Sequence, residues 1–177
     1  GCNVSVVPYN VTLAEIEKMK PDGVYISSGP GNPEDFSEII ELIKELRGKY
    51  PMVAVGLGMQ LLCLSYGAKT YKLKVGHHGG NYPIKNTQNG EVEITVQNHD
   101  YAVCEDSLKD TDLTVTYKNI LDGSVEAVEC VKDSVIGTQY YLDDSEGPNK
   151  RTSVIDRFQN LMKEGKLREV TEVRDES

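Results

Sequence analysis

Four cysteines, at positions 2, 63, 104 and 130, are all that this 177-residue chain contains. No two have the spacing of a metal-ligand pair or a redox motif. A disulfide scaffold or thiolate metal cage is therefore not expected, and a reduced, cytoplasmic setting is the default. No apolar run approaches the roughly 18 residues of a membrane-spanning helix, and the first residues do not read as a secretory leader. Basic side chains are scarce: 19 Lys and Arg against 28 Asp and Glu leave a net charge of −9. That balance argues against nucleic acid and anionic membrane as partners. Histidine occurs three times, at 77, 78 and 99. Adjacent His77-His78 suggests half a metal site, but no cysteine or carboxylate at useful spacing completes it, so no metal is expected. There is no internal repeat and no low-complexity tract.

What is present is the patterning of one domain, long enough to bury roughly 70% of its unfolded surface. Val4 to Val7 is a short β-branched run and a candidate buried strand. It reads as a strand already under way, which suggests an N-terminally truncated domain. Thr12 and Glu15 stand in capping-box spacing ahead of a short helix. Gly23 to Ser27 predicts a strand, closed by Gly29-Pro30-Gly31-Asn32-Pro33, which no regular element accommodates. Phe36, Ile39, Ile40, Ile43 and Leu46 recur at helical spacing. Met52 to Val55 predicts a third strand and Leu57 to Tyr66 a third helix. Alternation of strand and helix implies a parallel sheet with helices on its faces.

The pattern changes after Gly67. Residues 71–75, 92–96, 113–117 and 125–128 alternate polar and apolar side chains, as antiparallel or edge strands with one wet face do. Val135 to Gln139 is a candidate for return to the central sheet. Val154, Ile155, Phe158, Leu161 and Met162 predict a last amphipathic helix, and residues 166–177 a charged, frayed tail.

Chemistry is expected where two loops meet at the carboxyl ends of the parallel strands. One is the Gly29 to Pro33 loop. The other is the bend in Val53-Ala54-Val55-Gly56-Leu57-Gly58-Met59-Gln60-Leu61-Leu62. A strand that turns sharply into a helix presents a nucleophile in enzymes built this way, and here glycine holds that place. Backbone N–H groups of Gly29, Gly31 and Leu57 have the character of an oxyanion hole.

These residues carry a resemblance. Pro21-Asp-Gly-Val-Tyr-Ile-Ser-Ser-Gly-Pro-Gly-Asn-Pro33, the bend at 53–62, Gly67-Ala-Lys-Thr-Tyr-Lys-Leu-Lys74, Gly76-His-His-Gly79, Gln97-Asn98-His99, Thr138-Gln-Tyr140 and Gly147-Pro148 follow one another as in the class I, triad-type glutamine amidotransferase domain of the carbamoyl phosphate synthetase small subunit. The resemblance implies an α/β, flavodoxin-like fold: a mostly parallel central sheet with helices on both faces, plus a small antiparallel sheet. Residues 1–165 would form that domain without its first strand and helix, and 166–177 its tail. No cofactor is implied.

The family's chemistry uses a cysteine whose thiolate attacks the glutamine amide, a histidine that takes its proton and a glutamate that orients the histidine. By resemblance Gly56 stands at the cysteine's place, Tyr141 at the histidine's and Asp143 at the glutamate's, with Leu142 replacing a proline. A tyrosine hydroxyl ionises near pH 10 and is a poor base at neutrality. Cys63 lies about 10 Å along the helix from the bend. No glutaminase activity is therefore expected. The resemblance also assigns the substrate pocket to Met59, Gln60, Asn98 and Asp100. Met59 replaces a common histidine, and Asp100 replaces a glycine at a point of close approach to substrate. The resulting expectation is an inactive domain that docks on the synthetase large subunit. Two alternatives stay open: a module that binds glutamine or a similar metabolite, and an active glutaminase with another nucleophile.

Overall fold

The computed structural model describes residues 1–142 and 154–175, with side chains over 1–142 and 154–165. Asp143 and the Gly147-Pro148 pair lie outside the described residues. Helix α1 (Leu13–Met19) opens on the capping box: Thr12 Oγ1 accepts from the Glu15 amide, and Glu15 Oε2 accepts from the Thr12 amide at 2.8 Å. Strand β1 (Val24–Ile26), helix α2 (Ser37–Leu46), strand β2 (Met52–Val55) and helix α3 (Leu57–Ser65) follow in the expected alternation. Then come β3 (Thr70–Asn86), β4 (Val92–Val103), β5 (Thr114–Asn119), β6 (Val125–Cys130), β7 (Val135–Thr138) and α4 (Val154–Asp175).

The seven strands of the described residues form one sheet in the order β1-β2-β7-β6-β5-β3-β4. The pairs β1–β2 and β2–β7 are parallel, and the others are antiparallel. The antiparallel portion is thus not a separate sheet. It continues the parallel one through β6, and it is the larger part. Val135–Thr138 does return to the centre, seated between β2 and β6.

Helices cover both faces. Ile43 and Leu46 of α2 and Met59, Leu61 and Leu62 of α3 bury against Met52, Ala54, Val128 and Val135. On the other face, Phe158, Leu161 and Met162 of α4 meet Val53, Val55 and Ile136. Each aliphatic side chain so buried stabilises by about 1.5–3 kcal/mol before entropy is counted. Arg157 fixes α4 to β6 by a bidentate pair with Glu129, at 2.6 and 2.7 Å.

Three expectations require correction. Val4 to Val7 forms no strand, and Val4 and Val6 are 80% and 93% exposed. A β-branched run holds strand geometry only when a neighbour supplies hydrogen bonds and burial. Here β1 is the edge of the sheet and pairs with β2 alone. Second, β3 and β4 run well beyond residues 75 and 96. Gly76, Gly79 and Gly80 interrupt the alternation that marks a strand. Two register shifts, between Lys72 and His77 and between Gly79 and Tyr82, absorb the interruption. Third, helical backbone continues through Asp175, past the apolar spacing that ends at Met162.

Gly58 shows how tightly α3 rests on β1. A Cβ there would stand 2.5 Å from the Ile26 carbonyl oxygen and 2.9 Å from that of Ser27. Helix propensity alone favours alanine over glycine by about 1 kcal/mol. Backbone cannot yield as a side chain does, so Gly58→Ala is expected to lower Tm by roughly 3–10 °C. A thermal melt showing an unchanged or raised Tm would contradict this packing.

Candidate functional site

The bend between β2 and α3 is built from both neighbouring strands. Gly56 adopts φ 57°, ψ −118°, a conformation that favours glycine. Its amide donates to the Thr138 carbonyl of β7 at 2.8 Å, and its carbonyl accepts from the Gln60 amide at 3.3 Å. The end of β1 lies on the opposite side. A Cβ on Gly56 would overlap the Ser28 hydroxyl and stand 3.0 Å from Ser28 Cβ, and one on Gly29 would stand 3.3 Å from Leu57 Cδ2. The two loops expected to meet therefore do meet, through Ser28 and Gly29 against Gly56 and Leu57. Gly31 turns the loop at φ 115° and packs against the Phe36 ring.

The other candidate residues separate into three settings. Met59 is fully buried, packed beside Gly137 in the core beneath the sheet's helical face. Gln60 is also buried: its Nε2 donates to the Tyr101 carbonyl at 2.8 Å and to Gln139 Oε1 at 3.0 Å. The Gln139 Nε2 beyond it is a buried donor with no partner among the described residues. Sequence reasoning passed over both Gln139 and Ser28, because their importance lies in contacts across the sheet rather than in a local pattern.

Tyr141 follows β7. Its amide donates to the Val96 carbonyl at 3.0 Å, and its ring packs with Val53, Val55, Ile136 and Phe158. No imidazole stands there to relay a proton. Cys63 is fully buried in α3, and burial pushes its thiol far above the ordinary range. A buried thiol with a raised pKa is inert as a nucleophile.

Asn98 and Asp100 project from the exposed face of β4 toward His78 on β3. His78 Nδ1 lies 2.6 Å from Asn98 Oδ1, and its Nε2 lies 3.2 Å from Asp100 Oδ1. Asn98 first and Asp100 second raise the His78 pKa. The Asp100 carboxylate folds over Gly76, where a Cβ would overlap both Asp100 and His78. Its charge is thus paired and solvated, not forced into a closed pocket.

The remaining histidines belong to the polar interior of the antiparallel portion. His77 Nε2 is 2.9 Å from Asp122 Oδ2, and its Nδ1 is 2.9 Å from Gln97 Oε1 and 3.7 Å from Glu126 Oε1. Glu126 is fully buried and also accepts from Gln97, Asn119 and Ser124. Glu126 first, then Asp122, hold the His77 imidazole protonated against the opposing effect of burial, and its pKa is pushed up to about 9. His99 behaves oppositely. Burial, with the His77 charge nearby, pushes it down to about 4, and its Nδ1 faces the Tyr101 carbonyl at 2.8 Å.

The sign of the His77 contribution follows. A histidine whose folded pKa exceeds its unfolded value contributes most below pH 6.5, and the contribution is lost as pH rises toward about 9. His77→Gln is therefore expected to lower Tm by about 5–10 °C near pH 6. The gap to the unsubstituted protein narrows as pH rises from 7 to 9. Paired melts across that range check it, and a gap independent of pH contradicts it.

Comparison with known proteins places this architecture. The family profile described as "Glutamine amidotransferase class-I" matches residues 1–161. The carbamoyl phosphate synthase pyrimidine-specific small chain of Halalkalibacterium halodurans is 45% identical over 171 residues, covering 97% of this chain and 47% of its own. The carbamoyl phosphate synthase small chain of Fusobacterium nucleatum is 48% identical over 158 residues, covering 89% and 44%. The chain thus spans about half the length of the curated relatives it matches. In fold it is similar to a putative GMP synthase subunit from Thermoplasma acidophilum, with a TM-score of 0.75 and 16% identity over 95% of this chain and 84% of that one. No described helix is long and apolar enough to cross a membrane. A glycine bend between three parallel strands, seen in a chain matched along nearly all its length, leads to one conclusion: this protein belongs to the class-I glutamine amidotransferases and is homologous to carbamoyl phosphate synthase small chains.

Proposed function

We propose that this chain is a non-hydrolysing amidotransferase domain whose role is to partner the large synthetase subunit of a carbamoyl phosphate synthase. One observation carries the reading: the bend that should expose a nucleophile holds Gly56, at φ 57°. The family's reaction starts with a thiolate at that point. Tyr141, which the resemblance assigns to the general base's position, packs on the sheet and offers no imidazole. Asp143, assigned to the orienting carboxylate, lies outside the described residues.

The retained architecture supports a partner role. The sheet, both helical layers and the approach of the Ser28-Gly29 loop to the bend are intact without the reactive group. The named relatives are small chains, and a small chain acts within a larger synthase. The pyrimidine-specific name of one relative bears on that relative alone, and the pathway branch of this chain stays open between arginine and pyrimidine synthesis.

An active glutaminase is the competing reading, and the 45% identity to a named small chain favours it. Such an enzyme needs a reactive thiol. Cys63 and Cys130 are buried. Cys104 is half-buried just beyond β4, and Cys2 is exposed in the irregular segment before α1. Neither is held at the bend by any contact of the described residues. A third reading, glutamine binding without hydrolysis, has less support, because Gln60 spends its amide on Tyr101 and Gln139.

The test is glutamate release from glutamine by the purified chain, first in isolation and then with the large synthetase chain of a relative. The expected rate equals the blank, since losing a nucleophile or base in hydrolases costs on the order of 10⁶ in turnover. Gly56→Cys alone is expected to stay at the blank for want of a base. Glutamate release by the unsubstituted chain, abolished by thiol alkylation, overturns the proposal in favour of the active reading.

A further inference from the structure

The tip that joins β3 to β4 carries Asn89-Gly90, the one place in the sequence where glycine follows asparagine. We propose that this tip is a self-modifying site, at which the Gly90 nitrogen closes on the Asn89 side chain and leaves aspartate or isoaspartate in its place. The site shares no group with the bend at Gly56, and it stands whether or not the chain hydrolyses glutamine.

The step balances with water as the one added reactant. The Gly90 amide gives up its proton, and its nitrogen attacks Asn89 Cγ. The bond from Gly90 N to Cγ forms and the bond from Cγ to Nδ2 breaks. Nδ2 leaves as ammonia with the proton that the amide gave up, and a five-membered succinimide remains. Water then opens the ring. Cleavage at Cγ gives aspartate, and cleavage at the main-chain carbonyl gives isoaspartate, linked to Gly90 through Cγ. No oxidant or reductant is needed.

The surroundings of the tip favour each part of that step. Asn89, Gly90 and Glu91 are exposed, and the tip borders an open hollow of about 500 Å³ that Lys85 and Lys118 also line, so water has access. Glycine places no Cβ beside its own nitrogen, and Gly90 turns the chain at φ 77°. The Glu91 amide donates to Asn89 Oδ1 at 3.0 Å, on the oxygen that gains negative charge when Cγ is attacked. Asn89 Nδ2 donates to Glu91 Oε2 at 2.9 Å, so the side-chain amide is held over its own backbone instead of rotating freely. Lys85 Cε stands 3.7 Å from the point a Cβ on Gly90 would occupy. Its ammonium, one bond further on, is therefore close to the nitrogen that must lose a proton, and a nearby cation eases that loss.

One contact opposes the step. The Gly90 amide donates to the Asn86 carbonyl at 3.1 Å. A single hydrogen bond of ordinary net strength slows the reaction by no more than about tenfold. Exposed hairpin tips also open locally at little cost. The product, by contrast, disturbs the tip. A carboxylate at 89 faces that of Glu91 where a hydrogen bond stood, and the iso linkage adds a carbon to the main chain inside the turn that the Asn86 amide closes on the Glu91 carbonyl at 2.8 Å.

The test incubates the full chain in mildly alkaline buffer, one portion folded and one in concentrated urea. Peptide mapping follows the mass gain of amide-to-acid conversion, and enzymatic methylation of the new carboxyl scores isoaspartate. Asn81 and Asn98, which precede tyrosine and histidine, are internal references and are expected to convert more slowly than Asn89. The folded chain is expected to convert Asn89 at a rate within about tenfold of the urea rate. Gly90→Ala is expected to slow conversion in both portions. Lys85→Met is expected to slow it severalfold in the folded portion alone. An Asn89 that keeps its mass, or a folded rate more than about tenfold below the urea rate, overturns the proposal. A Lys85→Met effect that is equal in both portions contradicts the part given to Lys85.

Discussion

The fold turns on one bend. At Gly56 the chain leaves strand β2 and enters α3 within a single residue, at φ 57°, ψ −118°. The bend is clamped by β7 through the Gly56 amide and by the end of β1 through Ser28 and Gly58. Parallel strands deliver all three elements to the same edge, so the order β1-β2-β7 is itself a condition of the site. A non-glycine residue at such a point is kept only where its strain serves chemistry. Glycine there relaxes the backbone, and a serine hydroxyl beside it occupies the space that is left.

Around that bend the polar groups that the resemblance assigns to a pocket make hydrogen bonds within the fold. Gln60 bonds to the Tyr101 carbonyl and to Gln139, which ties α3 to β4 and to the end of β7. Asp100 pairs with His78 across the β3–β4 ladder. Further along the same two strands, His77, Gln97 and Glu126 form a buried charged network, completed by Asp122 and Ser124. It ties β3, β4 and β6 together beside the apolar cluster of Ile84, Ala127 and Tyr140, where the Tyr117 and Tyr140 rings meet edge to face.

Much of this was legible in the sequence where local chemistry decides structure. The Thr12–Glu15 box, the 36–46 helical spacing and the 52–62 strand-turn-helix all stand where the residues place them, because each is set by contacts a few residues apart. The sharp bend at Gly56 was legible for the same reason. What escaped depends on distant partners. Val4 to Val7 has strand composition but no neighbouring strand to bond. Strand β3 passes through three glycines that hide its alternation, and only pairing with β4 and β5 keeps it extended. Met59 was assigned to the pocket by position in a motif, and burial against Gly137 puts it in the core. Ser28 carries no motif of its own, and its relation to Gly56 exists only once β1 and β2 are paired.

The account stands on the claim that no group at this bend forms a covalent bond with the amide carbon of glutamine. Its most direct test is to expose the chain to a diazoketone analogue of glutamine, with and without excess glutamine, and to map adducts by peptide mass. The account predicts no adduct that glutamine protects against, on any cysteine or on Ser28. A stoichiometric adduct that glutamine prevents would contradict it and mark the residue that does the chemistry.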